Sequence, residues 1–71
     1  MREVEVLKVP VELFKILKFE GLAASGGEAK SLIADGRVTV NGHVETRKRK
    51  QIVTGDVIEF AGEQLLIQLK A

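Results

Sequence analysis

The amino-acid sequence predicts an α+β fold in which two packed helices lie on a small, mainly antiparallel sheet. The apolar residues follow a strand period near the start, a helical period through the next third, and a strand period again in the second half. Strand-forming and helix-forming segments are therefore segregated along the chain, which is typical of α+β domains. With 71 residues the chain has room for one domain, expected to occupy residues 1–71.

The first third of the chain indicates a strand followed by a helix. Charged and apolar residues alternate over residues 3–9, which predicts a strand with Val4 and Val6 inward and the glutamates outward. Pro10 ends this pattern and is compatible with the first turn of a helix. We therefore predict a first helix over about residues 11–20. Its apolar stripe is expected to consist of Leu13, Phe14 and Leu17.

A second helix is predicted directly after a serine cap. Ser25 and Glu28 form a capping box, in which the serine oxygen accepts a backbone N–H and the carboxylate reaches back to the cap. The helix is therefore expected to begin at Gly26. Gly36 stands where a left-handed residue would end it. Its apolar face is expected to carry Ala29, Leu32 and Ile33.

A tight hairpin is predicted after this helix. Val38 and Val40 alternate with polar residues, as on a short strand with one apolar face. Asn41-Gly42 favours a type I′ turn, because such a turn needs positive φ at both central residues. Val44 is expected to continue the apolar face on the returning strand.

Four consecutive cations follow the hairpin, and we call this segment, Arg47 to Lys50, the cationic arc. In an extended chain, adjacent side chains point to opposite sides, so four neighbouring charges cannot share a strand with a buried face. The arc is therefore expected on the surface. Beyond it, a turn at residues 54–56, a strand at 57–60, a turn at 61–63 and an alternating strand at 65–69 complete the prediction. The inward face of the last strand should be formed by Leu65, Ile67 and Leu69.

The charge of the chain is concentrated in its middle. The formal net charge is only +1, but residues 15–50 carry eight cations against four anions, whereas both flanks are net negative. A basic patch on a nearly neutral protein is typical of nucleic-acid binding, although a short run of cations is more often a solvated surface. The start of the chain lacks the apolar run of a signal peptide, so we expect a cytoplasmic protein.

No pattern of catalytic or metal-binding residues is evident, so we expect neither an enzyme nor a metal or cofactor. The chain has no cysteine, and its single histidine, His43, has no second histidine with which to share a metal. Phe14, Phe19 and Phe60 are its only aromatic residues. Because Phe14 and Phe60 fall on predicted core faces, stacking of bases on an aromatic platform is disfavoured, and recognition of phosphates and shape is favoured instead.

The motifs together resemble the S4 RNA-binding domain, a family named for ribosomal small-subunit protein S4. The resemblance covers about residues 11–60, and the whole chain is similar to small stand-alone bacterial members. It is carried by Gly21-Leu22, Ser25, Glu28-Ala29, Leu32-Ile33, Gly36-Arg37-Val38, Val40-Asn41-Gly42 and Gly55-Asp56-Val57-Ile58, with Glu45 to Arg49 before Ile52. It implies non-catalytic binding of structured RNA, such as ribosomal or transfer RNA, through the two helices and the hairpin.

The resemblance also assigns roles by position. Ser25 with Gly26 corresponds to the start of the second helix, where the family usually has a cation after the serine, so the glycine is a departure. Lys30 corresponds to a basic position on that helix, and the hairpin positions are Arg37, Asn41 and His43. The full set of expected RNA-binding residues is Lys15, Lys18, Ser25, Gly26, Lys30, Arg37, Asn41, His43, Arg47, Lys48, Arg49 and Lys50.

The basic residues should converge on one surface if both helices pack on the same face of the sheet. The residues concerned are Lys15 and Lys18, Lys30, and the cationic arc. We expect the protein to be a monomer whose partner is structured RNA. Association with the ribosome is one form that this binding would take. The alternative is a protein-interaction adaptor whose basic surface binds an acidic partner. A ubiquitin-like sulfur carrier is disfavoured because those proteins end in Gly-Gly, whereas this chain ends in Leu-Lys-Ala.

Overall fold

A computed structural model describes residues 1–70; Ala71, which the predicted domain includes, lies outside the described residues. The elements in chain order are β1 (Arg2–Val6), β2 (Val11–Glu12), α1 (Leu13–Phe19), α2 (Gly26–Ala34), β3 (Thr39–Val40), β4 (His43–Val44), β5 (Gln51–Ile52), β6 (Val57–Phe60) and β7 (Glu63–Leu69).

Five of these strands form one sheet in the order β1-β7-β6-β3-β4. β1 runs parallel to β7, with Val4 opposite Ile67, and the other neighbours are antiparallel. β2 and β5 form a separate two-stranded ladder in which Val11 lies opposite Ile52. The predicted fold class, two helices on a small, mainly antiparallel sheet, is confirmed. The sequence pattern left the partner of the last strand open, and the structure pairs it with both β6 and β1.

The core is built from the apolar faces of both helices and of the sheet. Its buried members are Val4, Leu13, Ile16, Leu17, Ala23, Ala29, Ile33, Val38, Val40, Ile52, Ile58, Leu65 and Ile67. Leu69, predicted to face inward, is instead 45% exposed. It pairs with Val6 at the last position of the β1–β7 ladder, beyond the fully buried part of the strand.

Helix α1 is shorter than predicted because its first two residues belong to a strand. Val11 and Glu12 pair with β5 rather than starting the helix, so Pro10 precedes a strand and not a helical turn. The buried face of α1 consists of Leu13, Ile16 and Leu17, and Phe14 is only half-buried at its edge. The helical spacing of apolar residues does not reveal that Val11 and Glu12 pair with β5 instead of starting the helix.

Helix α2 begins and ends as predicted. The Ser25 Oγ accepts the backbone N–H of Glu28 at 3.1 Å, which is the serine half of the predicted capping box. At the other end Gly36 has φ +77°. The N–H groups of Gly36 and Arg37 bond the carbonyls of Ile33 and Leu32, the pattern of a Schellman motif.

The hairpin has the predicted turn but a different apolar face. Asn41 and Gly42 have φ +53° and +84°, as a type I′ turn requires. A two-residue turn places Val40 opposite His43, and Val44 therefore lies opposite Thr39 on the other face. The expectation that Val44 continues the apolar face is wrong, and its side chain is 63% exposed.

Candidate nucleic-acid interface

The cationic arc is anchored to the start of helix α1. The backbone N–H of Leu13 donates to the Lys50 carbonyl at 2.9 Å, and the N–H of Phe14 donates to the Lys48 carbonyl at 3.1 Å. The first N–H groups of a helix have no partner within it, so these carbonyls satisfy donors that would otherwise need water or a cap. Three arc side chains are exposed and that of Lys50 is half-buried. The arc is therefore a surface segment with a fixed backbone path.

Three cations from different segments surround the ring of Phe14, and we call these four residues the Phe14 cluster. Lys30 Nζ of α2 lies 4.6 Å from the ring centroid. Arg49 Cζ of the arc lies at 5.4 Å, and Lys15 Nζ of α1 lies at 6.0 Å. These distances are those of cation–π contacts, in which the electron-rich ring face attracts a positive charge. Both helices and the arc thus place positive charge at one point of the surface.

Glu12 links two of these cations. Its carboxylate oxygens lie 2.9 Å from Arg49 Nη1 and 3.2 Å from Lys15 Nζ. The side-chain hydrogen bond from Arg49, followed by that from Lys15, lowers the pKa of Glu12 below its ordinary value of 4.5. Glu12 is the N-cap residue of α1, yet its side chain makes no capping hydrogen bond. Its carboxylate instead holds Arg49 and Lys15 beside the Phe14 ring.

A second carboxylate orients Arg47. Glu45 accepts three hydrogen bonds from this one residue: from the backbone N–H and Nε at 2.9 Å each, and from Nη2 at 3.1 Å. Side-chain bonding by Arg47, and then its backbone N–H, lower the pKa of Glu45 to about 2. The same carboxylate raises the pKa of Arg47. The Arg47 side chain is 71% exposed, so its guanidinium is directed while remaining open to solvent.

The other predicted residues fall into two groups. Lys18, Ser25, Arg37 and Lys48 are exposed without belonging to the Phe14 cluster, and Gly26 lies beside it. A Cβ placed on Gly26 would lie 3.7 Å from Phe14 Cε2, an ordinary van der Waals distance. The hairpin residues Asn41 and His43 line a polar depression of about 350 Å³ together with Lys50.

The Asn41 side chain is used within the fold. Its Nδ2 donates to Asp56 Oδ1 at 3.0 Å, and its Oδ1 accepts the N–H of Val57 at 2.9 Å. These bonds tie the hairpin turn to the start of β6. The geometry therefore gives Asn41 a structural role, and its predicted contact with RNA remains a prediction.

Sequence reasoning missed Phe14, Glu12 and Glu45 as members of this surface. The spacing of Glu12 and Lys15 at i and i+3 was a signal that the two could pair on a helix end. Nothing local points to the contact between Glu12 and Arg49, which are 37 positions apart. The helical spacing predicts Phe14 in the core, and its ring does pack against the core while also contacting the cations.

Within the described residues 1–70, no group of three or more His, Cys, Asp or Glu side chains is placed to hold a metal ion. Over the same range, none of the helices has both the length and the apolar character needed to cross a membrane.

The fold and this surface define a small α+β module that presents cations from two helices and a following arc. The model of the S4 domain family matches residues 4–68, and the chain belongs to that family.

Relatives of known sequence and structure agree with this placement. The chain is 51% identical over 57 residues to "Putative RNA-binding protein YbcJ" of Escherichia coli (strain K12), covering 80% of this chain and 81% of the relative. The same values hold for "Uncharacterized protein YbcJ" of Shigella flexneri. The solution structure of YbcJ from E. coli superposes with a TM-score of 0.72 at 46% identity, covering 96% of this chain and 87% of that one. That structure is described as revealing an αL motif involved in RNA-binding.

Proposed function

We propose that this protein is a non-catalytic RNA-binding module that recognises structured RNA, with ribosomal or transfer RNA as the expected targets. The observation that carries the proposal is the Phe14 cluster, in which three cations from three separate segments lie within 6.0 Å of one ring centroid. Membership of the S4 family and the RNA-binding described for YbcJ support the same class of ligand.

The physical argument concerns phosphates rather than bases. A phosphate bound near Lys30 and Arg49 would meet two charges whose positions are already restricted, so less side-chain freedom is lost on binding. Arg49 donates to Glu12 through Nη1, which leaves its other N–H groups for an acceptor. The A-form duplex offers regularly spaced phosphates and a shallow minor groove, which a surface of fixed cations can recognise by shape.

The proposed interface extends from the Phe14 cluster in two directions. Along α1 and the arc it includes the exposed cations Lys18, Arg47 and Lys48. Towards the hairpin it includes Arg37, His43 and Lys50, with Ser25 and Gly26 at the start of α2. The proposed protein is a cytoplasmic monomer. The ribosome is one of the places where it would bind structured RNA.

Charge reversal at two cluster residues tests the proposal. Lys30→Glu and Arg49→Glu should each weaken binding of a duplex-containing RNA by at least tenfold, because each replaces an attraction to phosphate with a repulsion. Lys70→Glu is the matched control, since it makes the same charge change at an exposed residue on the end of the sheet. Thermal melting is recorded for all three variants, because Lys30 is half-buried and Arg49 is paired with Glu12, whereas Lys70 is exposed and its substitution should change stability by no more than about 0.5 kcal/mol. A cooperative transition in each variant shows that it is folded.

The outcomes separate three interpretations. Loss of affinity in both cluster variants but not in Lys70→Glu supports a shared surface of helices and arc. Loss in Arg49→Glu alone would reduce the interface to the arc. Absence of RNA binding by the unaltered protein at low salt would overturn the proposal and favour an adaptor that binds an acidic protein.

A further inference from the structure

A groove lies between the end of β1 and helix α1, and Lys15 is one of the residues that line it. Its volume is about 550 Å³, within the range of roughly 300–1,000 Å³ that small-molecule sites occupy. Its walls are mainly apolar, with Leu7 and Pro10 on one side and Ile16 and Phe19 on the other. Leu7 and Phe19 are 85% and 71% exposed, so the groove presents two large apolar side chains to water.

We infer that this groove binds an unpaired nucleobase of the same RNA whose phosphates meet the Phe14 cluster. The inference rests on the proposed function and deepens it, because it names the feature of the RNA that the site selects. The ligand would be a structured RNA with a bulged or otherwise unpaired nucleotide next to a helical stem.

Continuity between the two sites is the first argument. Lys15 and Glu12 line the groove and also belong to the cationic surface, with Lys15 Nζ 6.0 Å from the Phe14 centroid and 3.2 Å from Glu12 Oε1. Lys15 and Phe19 are four residues apart on α1, so their side chains are neighbours on one face of the helix. A base in the groove would therefore be attached to a backbone that passes the cations.

The distribution of charge is the second argument. The charged residues that line the groove nearly balance, because three carboxylates (Glu5, Glu12 and Glu20) stand beside two lysines (Lys8 and Lys15). Glu12 is also paired with Arg49, and Glu20 lies 3.8 Å from Arg2. An apolar groove with a nearly neutral rim suits an uncharged, flat group, whereas the neighbouring Phe14 cluster suits an anion. A nucleotide combines these two parts, an uncharged base and a charged phosphate, on one covalent unit.

Phe19 supplies the stacking surface. Every nucleobase has a π face, so stacking on an aromatic side chain tolerates different bases, while hydrogen bonds at the rim provide any preference. Glu5 of β1 lines the groove, and it makes no ion pair within residues 1–70. Its carboxylate is an acceptor for the amino group of cytosine, adenine or guanine. The sequence disfavoured base stacking because Phe14 and Phe60 fall on predicted core faces; Phe19 is the exposed ring on which this inference relies.

The test compares two RNA hairpins that differ by one nucleotide. One has a fully paired stem, and the other carries a single unpaired nucleotide in the middle of the same stem. We expect the protein to bind the bulged hairpin more tightly at equal salt. Phe19→Ala should reduce that preference at least about fivefold, the lower end of the loss when one base-stacking aromatic is removed. Affinity of this variant for the fully paired hairpin should stay unchanged.

Two further variants complete the design. Leu7→Ser alters the opposite wall and should also reduce the preference for the bulged hairpin. Val44→Ala is the control, since Val44 is 63% exposed on β4 and is not part of the groove. Melting temperatures of all three variants should remain near that of the unaltered protein because each side chain is exposed.

Each of the other outcomes would overturn either the base site or the proposed function. Equal affinity for the two hairpins, together with steep salt dependence, would overturn the base site and leave the proposed function standing. A preference that survives both Phe19→Ala and Leu7→Ser would overturn the site as well. Dimerisation that Phe19→Ala abolishes, with no preference between the hairpins, would assign the groove to a second copy of the chain. Failure to bind either hairpin would overturn the proposed function itself.

Discussion

At the scale of single residues, Phe14 joins the core to the surface. Its ring packs against buried apolar residues, while Lys30 Nζ and Arg49 Cζ lie 4.6 and 5.4 Å from its centroid. A leucine could retain much of the packing but offers no π face. The ring is therefore the part of Phe14 that restricts the positions of the two cations.

Phe14→Leu should weaken binding of duplex RNA about two- to fivefold and leave the fold intact. Exposed cation–π contacts contribute about 0.5–1 kcal/mol, and their loss frees Lys30 and Arg49 to occupy other rotamers. Phe60→Leu is the matched control, because Phe60 is the other half-buried phenylalanine packed against the core. Fluorescence anisotropy with a labelled hairpin measures the affinity, and thermal melting measures stability. Equal losses of affinity in both variants would contradict a specific role for the Phe14 ring.

Glu45 makes stability depend on pH in the acid range. Its folded-state pKa of about 2 lies below the ordinary value of 4.5, because Arg47 bonds the ionised carboxylate. Folding is therefore favoured by this pair above about pH 4.5, and the contribution is lost as pH falls towards 2. Glu45→Gln should lower the melting temperature at neutral pH but not near pH 2.

Arg47→Gln removes only part of the interaction between Glu45 and Arg47. It removes the guanidinium but keeps the backbone N–H that also bonds Glu45, so it should lose only part of the pH-dependent stability. Melting curves recorded from neutral pH down to about 2 test both variants. A difference between the unaltered protein and Glu45→Gln that stays constant over this range would show that the ion pair is not formed in solution.

At the scale of elements, the hairpin depends on left-handed backbone at its turn. Gly42 has φ +84°, whereas Gly27 lies in the first turn of α2 without a positive φ. No atom lies within 4 Å of a Cβ placed on Gly42, so any cost of a side chain there comes from the backbone conformation alone.

Gly42→Ala should lower the free energy of unfolding by about 1–2 kcal/mol, the cost of a left-handed L-residue. In a domain of this size that corresponds to a fall in melting temperature of about 4–8 °C for each kcal/mol. Gly27→Ala, the matched control, should be neutral or slightly stabilising, because alanine is the better helix former. Urea denaturation compares the two. Equal stability of both variants would mean that the turn is not type I′ in solution.

At the scale of the whole molecule, the proposed function depends on the segregation of charge. The chain is nearly neutral, but its fold brings cations of α1, α2 and the arc to one surface. The proposed binding of RNA through that surface would release condensed counterions, so affinity should fall steeply as salt rises. The slope reports how many phosphates are neutralised.

Lys30→Gln and Arg49→Gln should each reduce the slope of log K against log salt by about 0.7–0.9, the value for one phosphate. Lys70→Gln should leave the slope unchanged, because Lys70 follows β7 and is not one of the cations at the Phe14 ring. Binding titrations at several salt concentrations measure these slopes. An unchanged slope in both cluster variants would show that the RNA meets other cations of the chain.

Much of the fold follows from interactions between residues close in the sequence. Ser25 caps α2 by accepting the N–H of Glu28 three residues later, Gly36 ends this helix with a bond to Ile33, and Asn41-Gly42 forms a two-residue turn. Local backbone preferences and short hydrogen bonds determine these features, so sequence patterns predict them. The α+β class follows in the same way from the order of strand and helix periods.

Only the tertiary structure decided which distant residues meet. The pairing of Val11 with Ile52 shortened α1, and the two-residue turn placed the exposed His43, rather than Val44, opposite Val40. The contact of Glu12 with Arg49, and the position of Lys30 and Arg49 around Phe14, depend on how the arc packs against both helices.

The sequence determined that the arc would be charged and exposed, because four adjacent cations cannot be buried on one strand face. Tertiary packing decided which residues these cations contact. The energy of a contact between distant residues depends on distances that no local sequence pattern determines.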